Sequence, residues 1–129
     1  MQDYRKLKVW EKAHAVAMDI HRASKAFRRQ DALVLRGQLR RAALSIPANV
    51  AEGAGKLSDP EFARYLEVAL GSASEAHYHL VVARELGELD AAAFDDLSNR
   101  VTEVRRMLFG LIKRIRADVA NRPPTSTTN

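Results

Sequence analysis

The sequence contains no cysteine, and aromatic residues make up only 6% of its 129 residues. Without cysteine the chain can form no disulfide, no catalytic thiolate and no cysteine-ligated zinc site. No apolar run approaches the roughly 20 residues that a membrane-spanning helix needs, and the N-terminus lacks the apolar core of a signal peptide. These absences lead us to expect a cytoplasmic protein that does not enter a membrane.

Motifs of the common enzyme classes are absent as well. The sequence has no Gly-x-Ser-x-Gly elbow, phosphate-binding loop or dinucleotide fingerprint. Half of a diiron motif occurs at Glu11 and His14, but Glu75 and His79 are four residues apart instead of three. His77 and His79 are two apart, so they should point to different sides of a helix as surface histidines. We expect no enzyme, metal or cofactor, and a metal-binding bundle is the least favoured alternative.

The basic and acidic residues are distributed unevenly along the chain. The net charge of +5 divides into +7 for residues 1–57, −7 for residues 58–96 and +5 for residues 97–129. The basic segments could bind a polyanion such as RNA or DNA. Alternatively, the basic surface of one copy could pair with the acidic surface of another, or the charges could simply be solvated on helix surfaces.

Four segments repeat apolar residues every three or four positions, which is the pattern of an amphipathic helix. The four apolar stripes run from Val9 to Phe27, from Leu35 to Gly53, from Phe62 to Gly87 and from Phe94 to Ile115. Because the connections are short, consecutive helices should be antiparallel neighbours. The sequence predicts an all-α, up-down-up-down four-helix bundle over residues 1–120 and a disordered tail over residues 121–129.

Helix ends are indicated by capping residues. Asp31 and Asp90 are expected to cap the second and fourth helices. Ser58 and Glu61 form a predicted capping box at the start of the third helix, and Gly87 is expected to close it.

Two further strips of residues flank the apolar stripes of the first and third helices. They comprise Trp10, Ala17 and Ser24 in the first helix, and Tyr65, Val68 and Ser72 in the third. Exposed strips of this kind often mark self-association. They would equally widen the intramolecular core, because helices of globular proteins bury a broad stripe.

The second helix has a proline in the middle of its pattern. Pro47 offers no N–H to the carbonyl of Ala43, which predicts a kink. Asn49 falls on the apolar stripe, where a hydrogen-bonded asparagine often fixes helix register. We expect Asn49 or Ser45 to satisfy the freed carbonyl, so that this segment has a structural role and not a catalytic one.

Arginines are the best functional candidates, because 15 of the 21 basic residues are arginine and arginine favours phosphate. The predicted nucleic-acid-binding residues are Lys8, Lys12, Arg36, Arg40, Arg41, Arg105 and Arg106. Further cations, Lys113, Arg114 and Arg116, follow on the fourth helix. The chain has no aromatic-rich platform and no recognition-helix motif, so base-specific reading is not implied.

Three runs of residues carry a family resemblance that covers about residues 4–113. They are Leu7-x-Val9-Trp10-x-x-Ala13, the run from Gln38 to Gly53, and Glu61-Phe62-x-x-Tyr65-Leu66-x-x-Ala69-x-Gly71-Ser72-Ala73-x-Glu75. The chain resembles the bacterial four-helix-bundle family named after proteins encoded in intervening sequences of 23S ribosomal RNA genes. The structural motif in the second run comprises Pro47, Asn49, Glu52 and Gly53, to which the resemblance assigns no chemistry.

The resemblance implies a ring-like homopentamer. The family includes accessory proteins of diversity-generating retroelements, which are basic barrels that bind nucleic acid and a reverse transcriptase. We therefore expect a homo-oligomer, a pentamer, that binds RNA or DNA through phosphate contacts, with a reverse transcriptase or another protein as a further partner. The alternative is a protein scaffold or adaptor that has no affinity for nucleic acid.

Overall fold

A short 3-10 turn, Tyr4–Lys6, comes before four α-helices in the computed structural model, which describes residues 1–123. The helices are α1 Lys8–Ser24, α2 Ala32–Ala54, α3 Asp59–Glu85 and α4 Ala91–Ala120. Residues 1–123 contain no strand, so the predicted all-α four-helix bundle is confirmed. Residues 124–129 of the predicted tail lie outside the described residues.

The predicted apolar stripes form the core of the bundle. Side chains with no solvent exposure come from all four helices and include Ile20, Ile46, Leu66, Leu80 and Leu108. In α4 the buried residue of the last turns is Ile112, while Leu111 is half-buried. Among residues 1–123, no helix has a stretch long and apolar enough to cross a membrane.

The predicted caps of α3 and α4 are present. The hydroxyl of Ser58 accepts the N–H of Glu61 at 3.3 Å and donates to its carboxylate at 3.1 Å. The carboxylate of Asp90 accepts the N–H of Ala93 at 2.8 Å. Gly87 follows the end of α3 with a φ of 79°, a conformation that glycine adopts without strain.

The predicted cap at Asp31 is wrong. Asp31 directly precedes α2, but its backbone is already helical, with φ −69° and ψ −23°, and its side chain makes no capping hydrogen bond. A capping side chain reaches the first-turn N–H groups from an extended backbone. The carboxylate of Asp31 instead accepts the Nε of Arg29 at 3.3 Å.

The strips that flank the stripes have different surroundings in the two helices. In α1, Ala17 and Ser24 are buried and Trp10 is half-buried, so this strip widens the intramolecular core. In α3, Tyr65 is half-buried, whereas 47% of Val68 remains exposed. The α3 strip therefore still offers apolar surface to a partner.

Helix α2 continues through Pro47 and is tied to α3 by a polar relay. The amide of Asn49 donates to the carbonyl and hydroxyl oxygens of Ser45 at 2.8 and 2.9 Å. The hydroxyl of Ser45 in turn lies 2.8 Å from that of Ser72 in α3. The prediction that Asn49 satisfies the carbonyl of Ala43 is wrong, because its amide reaches the carbonyl of Ser45, one helical turn before it. The relay fixes the register of the two helices instead.

Candidate nucleic-acid interface

The outward face of α4 carries a dense group of cations. The core positions Val104, Leu108 and Ile112 face inward, so the positions between them face solvent. These outward positions are Arg105, Arg106, Phe109, Gly110, Lys113 and Arg114. Spacings of three and four residues keep them on one side of the helix.

A groove of about 410 Å³ lies between this face of α4 and the start of α1. Its apolar lining comes from Leu7, Val9, Met107 and Leu111. Three cations, Lys8, Arg106 and Arg114, line the same groove. Two of the predicted binding residues, Lys8 and Arg106, are therefore neighbours although they are far apart in sequence.

A second groove of about 410 Å³ lies on the other side of α4, against α3. Its lining comprises Leu70, Ser74, Thr102, Arg105, Arg106 and Phe109. Arg106 lines both grooves, so the two grooves adjoin along α4.

We call the five cations Lys8, Arg105, Arg106, Lys113 and Arg114 the α4 cationic surface. In the described part of the chain, none of the five takes part in an ion pair. Over the same residues, no carboxylate lines either groove. The charges of this surface are thus available to an external anion.

Other predicted binding residues are engaged within the chain. Lys12 pairs with Glu103 of α4 at 2.9 Å. Arg40 is half-buried, and its guanidinium donates to the hydroxyl of Ser24 at 2.6 Å and to the carbonyl of His21 at 3.1 Å. Lys12 therefore links α1 to α4, and Arg40 ties α2 to the end of α1.

The remaining two predicted residues lie on α2. Arg36 is half-buried, whereas Arg41 is exposed beside Leu33 and Val34. The seven predicted residues thus fall into separate places, and only Lys8, Arg105 and Arg106 belong to the α4 cationic surface.

The acidic segment is mostly engaged within the chain. Asp59, Glu67 and Asp96 pair with Arg122, Arg116 and Arg100, respectively. Glu88 accepts the backbone N–H groups of Arg28 and Arg29, Glu75 contacts His79, and Glu61 and Asp90 form the caps described above. Few of these carboxylates are left to pair with the basic surface of another copy.

Histidines and carboxylates do not gather into a metal site in the part of the chain that the structure describes. Over residues 1–123, no group of three or more such side chains could hold a metal ion. Glu11 and His14 are exposed, and the His14 ring stacks on Trp10 with centroids 4.8 Å apart. His77 and His79 are half-buried, so the prediction that both are surface histidines is wrong.

Comparison with known proteins identifies the family. The family described as 23S rRNA-intervening sequence protein matches residues 5–110. The chain belongs to this family.

A structure similar to this 23S rRNA-intervening sequence protein comes from Bacteroides thetaiotaomicron and is described as a protein of unknown function from the S23 ribosomal protein family. The two chains share 27% identity with a TM-score of 0.77. The similarity covers 81% of this chain and 98% of the Bacteroides chain. No curated protein matches the sequence.

Sequence reasoning missed one residue of the interface in this family member, Phe109. Its ring is 57% exposed and lines the groove beside Arg105 and Arg106. Phe109 follows the core residue Leu108 and therefore falls off the apolar stripe of α4. That offset, together with cations three and four residues away on each side, was visible in the sequence.

His77 of α3 reports on the charge of Arg105. Partial burial holds the pKa of His77 below its ordinary value, and the nearby charge of Arg105 lowers that pKa further. We expect Arg105→Gln to raise the pKa of His77, because a neighbouring positive charge no longer opposes protonation. The pKa should stay below its ordinary value, since the burial remains.

An NMR pH titration of the His77 ring protons would measure this change. Arg106→Gln is the matched control, because it removes the same charge from the adjacent position and should move the pKa of His77 less. Equal shifts in the two variants would contradict the contact between Arg105 and His77.

Proposed function

We propose that this 23S rRNA-intervening sequence protein is a non-enzymatic homo-oligomer that binds nucleic acid through the phosphate backbone. The α4 cationic surface carries the proposal, because five cations meet there without a carboxylate among the residues that line its two grooves in the described chain. Guanidinium groups are well suited to phosphate oxygens. Binding of this kind holds a strand by its charge and does not read its sequence.

Self-association is supported by a second surface, which we call the α2–α3 face. It comprises Val34, Gly37 and Leu44 of α2, and Val68, Gly71 and Tyr78 of α3. The exposed fraction of its four larger side chains ranges from 41% for Leu44 to 67% for Val34. The hydrogen bond between Ser45 and Ser72 holds the two helices together beneath it. A largely uncharged surface of this kind is typical of contacts between proteins.

The two glycines of this face have no role within the monomer. Over the described residues, a Cβ added at Gly37 or Gly71 would meet nothing within 4 Å outside the backbone of its own helix. Glycine in a helix interior is less favourable than alanine by about 1 kcal/mol. Close approach of another helix would compensate for this cost, and a second copy of the chain would supply such a helix. The family resemblance favours a pentamer.

Light scattering on a sizing column, run at low salt with and without a short mixed-sequence RNA, would test both parts of the proposal. We expect a pentamer whose mass rises with RNA. In Arg105→Gln/Arg106→Gln, the salt dependence of RNA binding should weaken by about 1.4 in log–log slope, or about 0.7 for each lost phosphate contact on a single strand.

The matched control is Arg28→Gln/Arg29→Gln, which removes two adjacent exposed arginines from the loop after α1. Its total charge equals that of the test variant, so an equal loss of binding in both would contradict a specific role for the α4 cationic surface. Absence of any binding at low salt would contradict the nucleic-acid proposal as a whole.

The α2–α3 face also favours one alternative, a protein scaffold or adaptor. Its apolar residues would then dock another protein, such as a reverse transcriptase, and the cations would serve only solubility. This alternative predicts a stable oligomer that ignores RNA and a partner contact that is lost when the α2–α3 face is altered.

A further inference from the structure

We infer that the α4 cationic surface takes single-stranded nucleic acid, with an unpaired base stacked on Phe109. The inference rests on the proposed function and narrows it from any polyanion to one with accessible bases. It is carried by an exposed aromatic ring set among unpaired cations, an arrangement that a surface for plain charge attraction does not require.

The exposure of Phe109 has no explanation within the monomer. The ring is 57% exposed, while the inward positions of the same helix are filled by Leu108 and Ile112. An exposed phenylalanine adds nothing to solubility, and a polar residue would suit a solvated position better. Its ring is therefore available for contact with a ligand.

Cations surround the ring in positions that suit a nucleotide. Arg105 and Arg106 share the groove with Phe109, and the Nζ of Lys113 lies 5.8 Å from the ring centroid. A base that stacks on the ring would bring its phosphate groups within reach of these side chains. Proteins that bind single strands combine a cationic path for the backbone with aromatic rings for the bases in this way.

The other aromatic residues are placed less favourably. Trp10 is half-buried, with the Tyr4 ring 4.9 Å away and the His14 ring stacked on it at 4.8 Å. Tyr78 is exposed, but it belongs to the α2–α3 face and stands one helical turn from Glu75. Phe109 thus combines exposure with cationic neighbours.

A duplex does not match this arrangement. Its bases are already stacked and paired, so they present no free face to the ring, and only its phosphates could contact the cations. A single strand can place phosphates on Arg106 and bases in the grooves on either side. The energy of stacking on Phe109 is therefore available to single strands alone.

Fluorescence anisotropy with a labelled single-stranded RNA and a fully paired RNA duplex of equal length would test the inference. We expect the wild-type protein to prefer the single strand. Phe109→Leu should lower single-strand affinity by about 5- to 100-fold, because base stacking on an aromatic ring is lost. Its salt dependence should not change, since no cation is removed.

Two controls distinguish stacking from structural damage. Phe109→Tyr keeps an aromatic ring and should bind the single strand as the wild-type protein does. Duplex affinity should be the same in Phe109→Leu as in wild type, because the phosphate contacts remain. Light scattering should give Phe109→Leu the same assembly mass as wild type.

Several outcomes would overturn the inference. Equal wild-type affinity for single strand and duplex would do so while leaving the proposed function intact, as would unchanged single-strand binding in Phe109→Leu. A smaller assembly in Phe109→Leu would assign the ring to a contact between copies instead. If the wild-type protein binds neither RNA, both the inference and the proposed function are wrong.

Discussion

Replacing Gly53 with alanine should lower the free energy of unfolding by about 2 kcal/mol. A Cβ at this position would lie 2.8 Å from the Cβ of Tyr65, 3.0 Å from the Cδ1 of Phe62 and 3.2 Å from the carbonyl oxygen of Phe62. A Cβ and a carbonyl oxygen cannot move without the backbone, so α2 and α3 would have to separate. The gain in helix propensity, at most about 1 kcal/mol, is too small to offset this strain.

Urea denaturation of Gly53→Ala and wild type at one protein concentration would measure the difference. Gly110→Ala is the matched control, because over the described residues an added Cβ there meets nothing within 4 Å outside its own helix backbone. The control should be more stable than wild type by about 0.5–1 kcal/mol. A Gly53→Ala variant as stable as wild type would mean that the two helices are not packed this closely.

The sequence predicted the fold because each helix carries its own information. The stripe from Val9 to Phe27 and its counterparts are local patterns that require one buried face, whatever the partner is. Ser58, Glu61 and Gly87 likewise act within a few residues of their own positions. Asp31 was mispredicted because residue type alone does not reveal whether the backbone before a helix is extended or already helical.

The candidate site was harder to predict because it depends on contacts between distant segments. Lys8 and Lys12 look equivalent in sequence, yet Lys12 meets Glu103 and Lys8 meets Arg106 across the groove to α4. Arg40 was expected to face an anion, but it donates hydrogen bonds to the end of α1. Charge and spacing show which residues share a helix face, and only the packed bundle shows what that face meets.

Gly53 illustrates how far the family resemblance reached. The resemblance grouped it with Pro47, Asn49 and Glu52 as a structural motif without stating what each residue does. In the structure, Gly53 allows the close approach of α3, and Asn49 holds Ser45 in the relay to Ser72. Glu52 is exposed, and nothing in the structure explains its part in the motif.

Leu44→Glu/Val68→Glu should convert the assembly to monomers. Both side chains are partly exposed, at 41% and 47%, so the substitutions should change the stability of the monomer little. In an oligomer built through the α2–α3 face they would place two unpaired carboxylates in every contact, and buried unpaired charge costs several kcal/mol. Light scattering would detect the fall in mass, and urea denaturation would check the fold.

Leu57→Glu is the control for this double variant, because Leu57 is 87% exposed in the connection between α2 and α3 and lies outside the α2–α3 face. It should leave the mass unchanged. A double variant that keeps the mass of the wild-type assembly would exclude the α2–α3 face as the contact, and the grooves beside α4 would then become the better candidates.

RNA binding by the monomeric variant adds a second, independent result. The α4 cationic surface does not include Leu44 or Val68, so each copy should keep its own affinity for a short strand that spans one site. A longer strand can contact several copies of the wild-type assembly at once, and this avidity typically strengthens binding by 10²–10⁴-fold. The variant should therefore lose affinity for long strands only. Equal loss for short strands would mean that the binding surface itself is built from more than one copy.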